Sequence, residues 1–134
     1  MSKLKQVEEI VLAVRDPERA VARLETLFDL EFNRSWSVPK DHMSVRCAMI
    51  GQTQFHVVGA TEPDTLIDRF VRTRGEGLHH VAFQVSDLDG LMDKLKASGI
   101  TVVPEVPRTG RSGSRYAFVH PKDMHGMLME LIER

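Results

Sequence analysis

Two histidines and two glutamates stand out in the 134-residue sequence because of where they recur. Glu9 lies in the run VEEIVLAV and His80 in LHHVAFQV, while His56 lies in TQFHVV and Glu130 interrupts the apolar run MLMELI. Laying Glu9 on His80 also lays His56 near Glu130, to within a three-residue difference in loop length. A carboxylate flanked by Met129 and Leu131 is costly to bury unless it is paired or coordinated. Two imidazoles and two carboxylates converging on one point suit a single borderline divalent ion: Co, Ni, Zn, Mn or Fe. Four protein ligands in an octahedral shell leave about two adjacent positions for water or a bidentate substrate. Such an ion can act as a Lewis acid toward an oxygen of a bound substrate. Glu130 is the expected general base and Glu9 the second choice, because a ligand carboxylate that loosens from a metal can reach the proton it takes.

The elements that must position these residues form an internal repeat. Val7 to Val14 reads as a strand, and Asp16-Pro17 then supplies a cap and a first-turn proline for a helix over Glu18 to Phe28. Leu78 to Val85 again reads as a strand. Ser86-Asp87 sits at the cap position, and Leu88, Leu91, Met92 and Leu95 recur at helical spacing up to Gly99. Shorter strand-like runs follow each helix, at about Leu30–Ser37, Ser44–Ile50 and Thr53–Val58, and at about Ile100–Glu105, Ser114–His120 and Met127–Glu133. Gly51-Gln52 and Pro121 to Gly126 supply turns. Pro63 to Arg74 reads as a helical linker ending at Gly75. The expected fold is α+β: two βαβββ modules related by a pseudo-twofold, forming a cup-shaped mixed sheet with helices on the outer face. One domain, 1–134, then comprises module one over about 5–60, the linker over about 61–77 and module two over about 78–134. Strand alternation puts Val81, Phe83 and Val85 on the helix-covered face with His79, and His80, Ala82 and Gln84 on the open one. Likewise Ile10, Leu12 and Val14 face the helix, and Glu9, Val11 and Ala13 face away.

Composition limits what else the chain could be. Its 18 Lys and Arg against 19 Asp and Glu leave a formal net charge of −1, without the field of one sign that gathers nucleic acid or an anionic membrane. Cys47 is the single cysteine, which excludes an intrachain disulfide or a zinc ribbon, and its apolar run places it in the core. No stretch approaches the roughly 20 apolar residues of a membrane span. The N-terminal residues Met1 to Gln6 lack a signal-peptide apolar run, so a cytoplasmic protein is expected. His42, His120 and His125 fall in or beside turns and read as solvated. The loop Pro107 to Tyr116 carries Arg108, Arg111 and Arg115, candidates for the anionic tail of a small-molecule substrate.

Four stretches, EEIVLAVRDPERAV, PDTLIDRFVRTRGEGLHHVAFQV, YAFVHPKD and HGMLMEL, give the chain a wider likeness. It resembles the vicinal oxygen chelate superfamily of glyoxalases, bleomycin-resistance proteins and extradiol dioxygenases, and most of all the methylmalonyl-CoA epimerases. The resemblance spans essentially the whole chain. It implies two βαβββ modules forming a cup around one metal, a homodimer, and an acyl-CoA as the substrate class. Carried over position by position, the ligands fall on Glu9, His56, His80 and Glu130. The epimerases usually have His where this chain has Glu9, and Gln or Glu where it has His56. A second catalytic glutamate of one epimerase falls near Cys47. The expected activity is metal-dependent epimerisation or isomerisation next to a carbonyl. The alternatives are a glyoxalase I-type lactoylglutathione lyase, an Fe(II)-dependent dioxygenase built on His56, His80 and Glu130, and a metal-free small-molecule binding or resistance protein.

Overall fold

The first helix begins where the sequence puts its cap. Asp16 is extended and its side chain accepts from the N–H of Arg19 at 3.2 Å, with Pro17 opening the first turn. The computed structural model describes residues 3–134, Arg111 by its backbone alone. Among these residues the chain forms β1 (Leu4–Ala13), α1 (Pro17–Phe28), β2 (Arg34–Val38), β3 (Met43–Ile50), β4 (Thr53–Ala60), α2 (Leu66–Arg74), β5 (Gly77–Val85), α3 (Leu88–Ala97), β6 (Val102–Thr109), β7 (Arg115–Val119) and β8 (Met129–Glu133). This is the mixed α+β composition expected. The residues group into two compact units, one of residues 9–79 and the other of His80–Arg134 together with residues 3–8.

In the first unit the strand order is β2-β3-β4-β1, with β1 parallel to β4 and the other pairs antiparallel. In the second the order is β5-β8-β7-β6, with β5 parallel to β8 and the rest antiparallel. The same strand–helix–three-strand grammar therefore recurs in both, as the sequence repeat requires.

Each half-sheet has two unlike faces. In the second unit, Leu88, Leu91 and Met92 of α3 pack on Val85, Val102, Ala117, Val119 and Leu131. Burying each such Leu or Met side chain contributes roughly 1.5–3 kcal/mol. In the first unit the Pro17 ring of α1 lies against Gly59, and Arg46 of β3 pairs with Glu18. The opposite face of this unit carries Val11, Ala13, Val45 and Val58, which pack with Ile67 and Val71 of α2. The linker helix thus covers part of the face that strand alternation leaves open, which the one-dimensional pattern does not reveal.

Several element boundaries differ from the sequence reading, and three of them have a clear local cause. The second strand starts at Arg34 rather than Leu30, because the preceding backbone finds local partners. Asp29 closes α1 in a left-handed conformation with its N–H on Glu25 O, and the Phe32 N–H donates to Glu25 Oε2 at 3.0 Å. The linker helix starts at Leu66 rather than Pro63, since Asp64 is left-handed (φ 61°) and its N–H donates to the Asp68 carboxylate. Strand β6 runs on to Thr109, past Pro104 and Pro107, which its outermost position in the half-sheet tolerates. Arg108 is consequently a strand residue, not a loop residue.

A side chain at Gly59 would meet the rigid Pro17 ring. Gly59→Ala should destabilise the protein by about 1–3 kcal/mol, read as a lower urea midpoint at unchanged slope.

Candidate metal centre

Parallel pairing builds one histidine–glutamate pair in each unit. In the second unit Glu130 of β8 registers with Ala82 of β5, which puts His80, two residues earlier on the same face, diagonally across from it. Long side chains bridge that diagonal. His80 Nε2 lies 3.0 Å from Glu130 Oε1. Phe118, which registers with Glu130 from β7, meets the His80 ring edge-on at 5.5 Å, and Tyr116 meets Phe118 in the same way at 5.9 Å. Aromatic edges on one side and fully buried Ala82 below fix the imidazole and screen the carboxylate, which is 8% exposed.

The first unit repeats the device with the residue types exchanged between strands. Glu9 of β1 registers with Gln54 of β4, so His56 is the diagonal neighbour. His56 Nε2 stands 3.9 Å from Glu9 Oε1 and both side chains are buried. The imidazole is also held by Gln54 Oε1 at 2.9 Å and by the edge of Trp36, with centroids 5.2 Å apart. Cys47 registers directly beside His56 from β3 and is buried, as expected of a core thiol.

These donors fit a divalent cation. Each pair offers an imidazole nitrogen and a carboxylate oxygen, a mixed N/O set suited to borderline metals. Both carboxylates are buried, where a positive charge is the natural compensation. Metal ligation requires the deprotonated forms, so an ion would be held by the imidazole nitrogens and carboxylate oxygens of these pairs.

The other singled-out residues fall elsewhere. Arg115 is on the α3 side of β7, where Asp89 Oδ1 (2.8 Å) and Glu133 Oε1 (3.0 Å) accept from it, and is not brought to the His80–Glu130 face. Arg108 is exposed and registers with Tyr116, on the face of Phe118. The side chain of Arg111 lies outside the described residues. His42 and His125 are exposed in left-handed turns, and His120 caps a short turn with Nδ1 accepting from Lys122 N. His79 packs edge-on against Phe70 of α2 at 4.9 Å. A cleft of about 370 Å³ beside α2, lined by Val14, Ala60, Ile67 and Val71 among others, contains none of the candidate ligands. Gln54 and Trp36, which hold His56, were missed by the sequence reading; the signal for Gln54 was its two-residue spacing from His56 on one strand.

Comparisons with known proteins give the family and the fold. Residues 8–118 match the Glyoxalase/Bleomycin resistance protein/Dioxygenase superfamily, and the chain belongs to it. It is similar to the mitochondrial methylmalonyl-CoA epimerase of Homo sapiens, at 26% identity over 129 residues, covering 96% of this chain and 73% of the relative. It is likewise similar to the crystal structure of methylmalonyl-CoA epimerase from Mycobacterium tuberculosis, with a TM-score of 0.88 and 26% identity over 99% of this chain and 90% of that one. A Streptomyces coelicolor methylmalonyl-CoA epimerase in complex with 2-nitronate-propionyl-CoA aligns with a TM-score of 0.88 and 27% identity, over 97% and 94% of the two chains. The likeness to epimerases read from the motifs is thus met by both relatives and structures. No helix among the described residues is long and apolar enough to cross a membrane.

The hydrogen bond from Arg115 holds the Asp89 carboxyl below its usual value of 3.8. The stability this pair contributes is present above that value and is lost as pH falls through the depressed folded one. Asp89→Asn should remove this part of the acid dependence, seen as a flatter fall of Tm across the acid range.

Proposed function

We propose that the chain is a divalent-metal-dependent epimerase that removes the proton alpha to the thioester carbonyl of an acyl-CoA such as methylmalonyl-CoA and returns it to the opposite face. The observation that carries this reading is the His80–Glu130 pair at 3.0 Å, a buried carboxylate base oriented by a half-buried imidazole on a sheet face. The names of the relatives and the thioester analogue bound by the Streptomyces coelicolor protein support the substrate class.

In this reading the two units act as one domain, and Glu9, His56, His80 and Glu130 together hold one ion. When bound, the ion supplies Lewis-acid polarisation of the carbonyl next to the acidic C–H bond. Glu130 accepts the α-proton, and the C–H electron pair moves toward the carbonyl. Its apolar neighbours Phe118, Ala82 and Ile132 keep water from competing for that proton. His80 keeps the carboxylate in one orientation. Glu9, loosened from the ion and protonated from solvent, is the candidate to deliver a proton to the opposite face, while Glu130 returns the proton it took to solvent, so the cycle closes with no net change in protonation. Arg108 and Arg111 serve the phosphates of the CoA moiety. Arg115, already matched by two carboxylates, contributes at most through the strand it anchors. In the same reading the protein is a homodimer, as the family resemblance implies, and works in the cytoplasm.

The purified chain should carry about one equivalent of Co, Ni, Zn, Mn or Fe, and His80→Ala should lose it. In D₂O it should exchange the α-proton of methylmalonyl-CoA. Glu130→Gln should lower that exchange by a factor of about 10² or more while the protein stays folded. Absence of metal under every supplement, or undiminished exchange in the Glu130 variant, would overturn the reading.

A further inference from the structure

Most arginines of the chain whose contacts are described meet a carboxylate: Arg15 with Glu76, Arg46 with Glu18, Arg72 with Asp64 and Asp68, Arg115 with Asp89 and Glu133, and Arg134 with Glu8. Arg34 differs. It opens β2, registers with Cys47 of β3, and through Cys47 lies in one cross-strand row with His56 of β4. Paired residues in such a row share a face, so its side chain lies on the face of His56 and Glu9. Its Nη2 donates to Gln54 Oε1 at 3.3 Å and approaches Cys47 Sγ at 3.6 Å, both uncharged acceptors. The guanidinium carbon lies 5.7 Å from the centre of the Trp36 ring. No carboxylate stands within ion-pair distance of Arg34 among the described residues.

From this arrangement we propose that Arg34 is a specificity-determining residue that binds the free carboxylate of a 2-carboxyacyl thioester. The inference rests on the acyl-CoA reading above and deepens it. Gln54 Oε1 is the common partner of Arg34 Nη2 and His56 Nε2, so one amide oxygen separates the guanidinium from the candidate metal ligand. An anion seated on Arg34 is therefore placed beside the reacting end of a substrate and not at the far end of its pantetheine arm. The shape fits as well. A guanidinium fork steadied on an aromatic ring presents parallel N–H donors, which match a planar carboxylate. Two of its contacts use a single nitrogen, Nη2, so the fork retains donors for an incoming oxygen pair. The neighbouring Cys47 and Gln54 add no negative charge that would compete.

The test uses the sole tryptophan of the chain, Trp36, as a probe, because it lies under the guanidinium. Methylmalonyl-CoA and propionyl-CoA differ only by the carboxylate, so titrating each into the protein as purified, with CoA alone as a control, isolates that group. The wild type should bind methylmalonyl-CoA about tenfold or more tightly than propionyl-CoA. In Arg34→Gln that preference should collapse toward unity while propionyl-CoA affinity and metal content hold. Arg34→Lys, which keeps the charge but loses the fork, should retain part of it and guards against a folding defect in the first variant. A preference unchanged in Arg34→Gln overturns the proposal, as does an equal loss for both thioesters, which would assign Arg34 to the CoA phosphates. Failure of the wild type to bind either thioester would instead sink the acyl-CoA reading, and this proposal with it.

Discussion

A carboxylate placed between Met129 and Leu131 and buried to 8% exposure must be compensated, and that requirement organises this protein. Burial removes water from Glu130 and from Glu9, so each needs a donor or a cation close by. The chain meets the need by pairing a parallel strand beside each glutamate, so that a histidine falls on the diagonal of the register. Parallel pairing has a second consequence. It demands a crossover between the paired strands; the helix in each crossover packs on the half-sheet's other face, and the two strands that follow it extend the half-sheet. Packing and site thus follow from one arrangement, with α3 on the Leu131 side of β8 and the polar atoms of Glu130 on the reverse.

The two pairs are alike in composition and opposite in placement. On the first strand of one unit stands Glu9, and on the corresponding strand of the other stands His80; the partners on the last strands, His56 and Glu130, are exchanged to match. The total of two imidazoles and two carboxylates is what a borderline divalent ion accepts, wherever each donor sits. The surroundings are less symmetrical. His80 meets the edge of Phe118, whereas His56 is held by Gln54 and Trp36, behind which stands Arg34. One unit therefore surrounds its pair with aromatic edges and the other with polar groups.

Membership in the superfamily explains the fold without dictating the details. The family resemblance implies that Glu9, His56 and Cys47 stand where the epimerases usually carry other residues, so their local partners matter to what each can do. Cys47 brings a small buried thiol next to His56, leaving room for Arg34 and Gln54 to approach the same spot. Chemistry in this chain is then better argued from its own donors than from any relative's.

Much of this was legible in one dimension. The alternating runs around Glu9 and His80, the Asp16-Pro17 and Asp87 caps, and the apolar flanks of Glu130 specified strands, helices and faces, because side-chain periodicity and capping are local properties of sequence. The repeat also pointed to all four candidate ligands. What local chemistry could not show was which strand lies beside which, and in what register. Those are set by long-range packing, and they placed Gln54, Trp36 and Arg34 around His56, laid α2 over Val11 and Ala13, and turned Arg115 away from His80 toward Asp89 and Glu133. The sequence by itself determined the elements and the residues able to do chemistry; the tertiary structure decided their neighbours, since contacts between distant residues depend on the energy of the whole packed sheet.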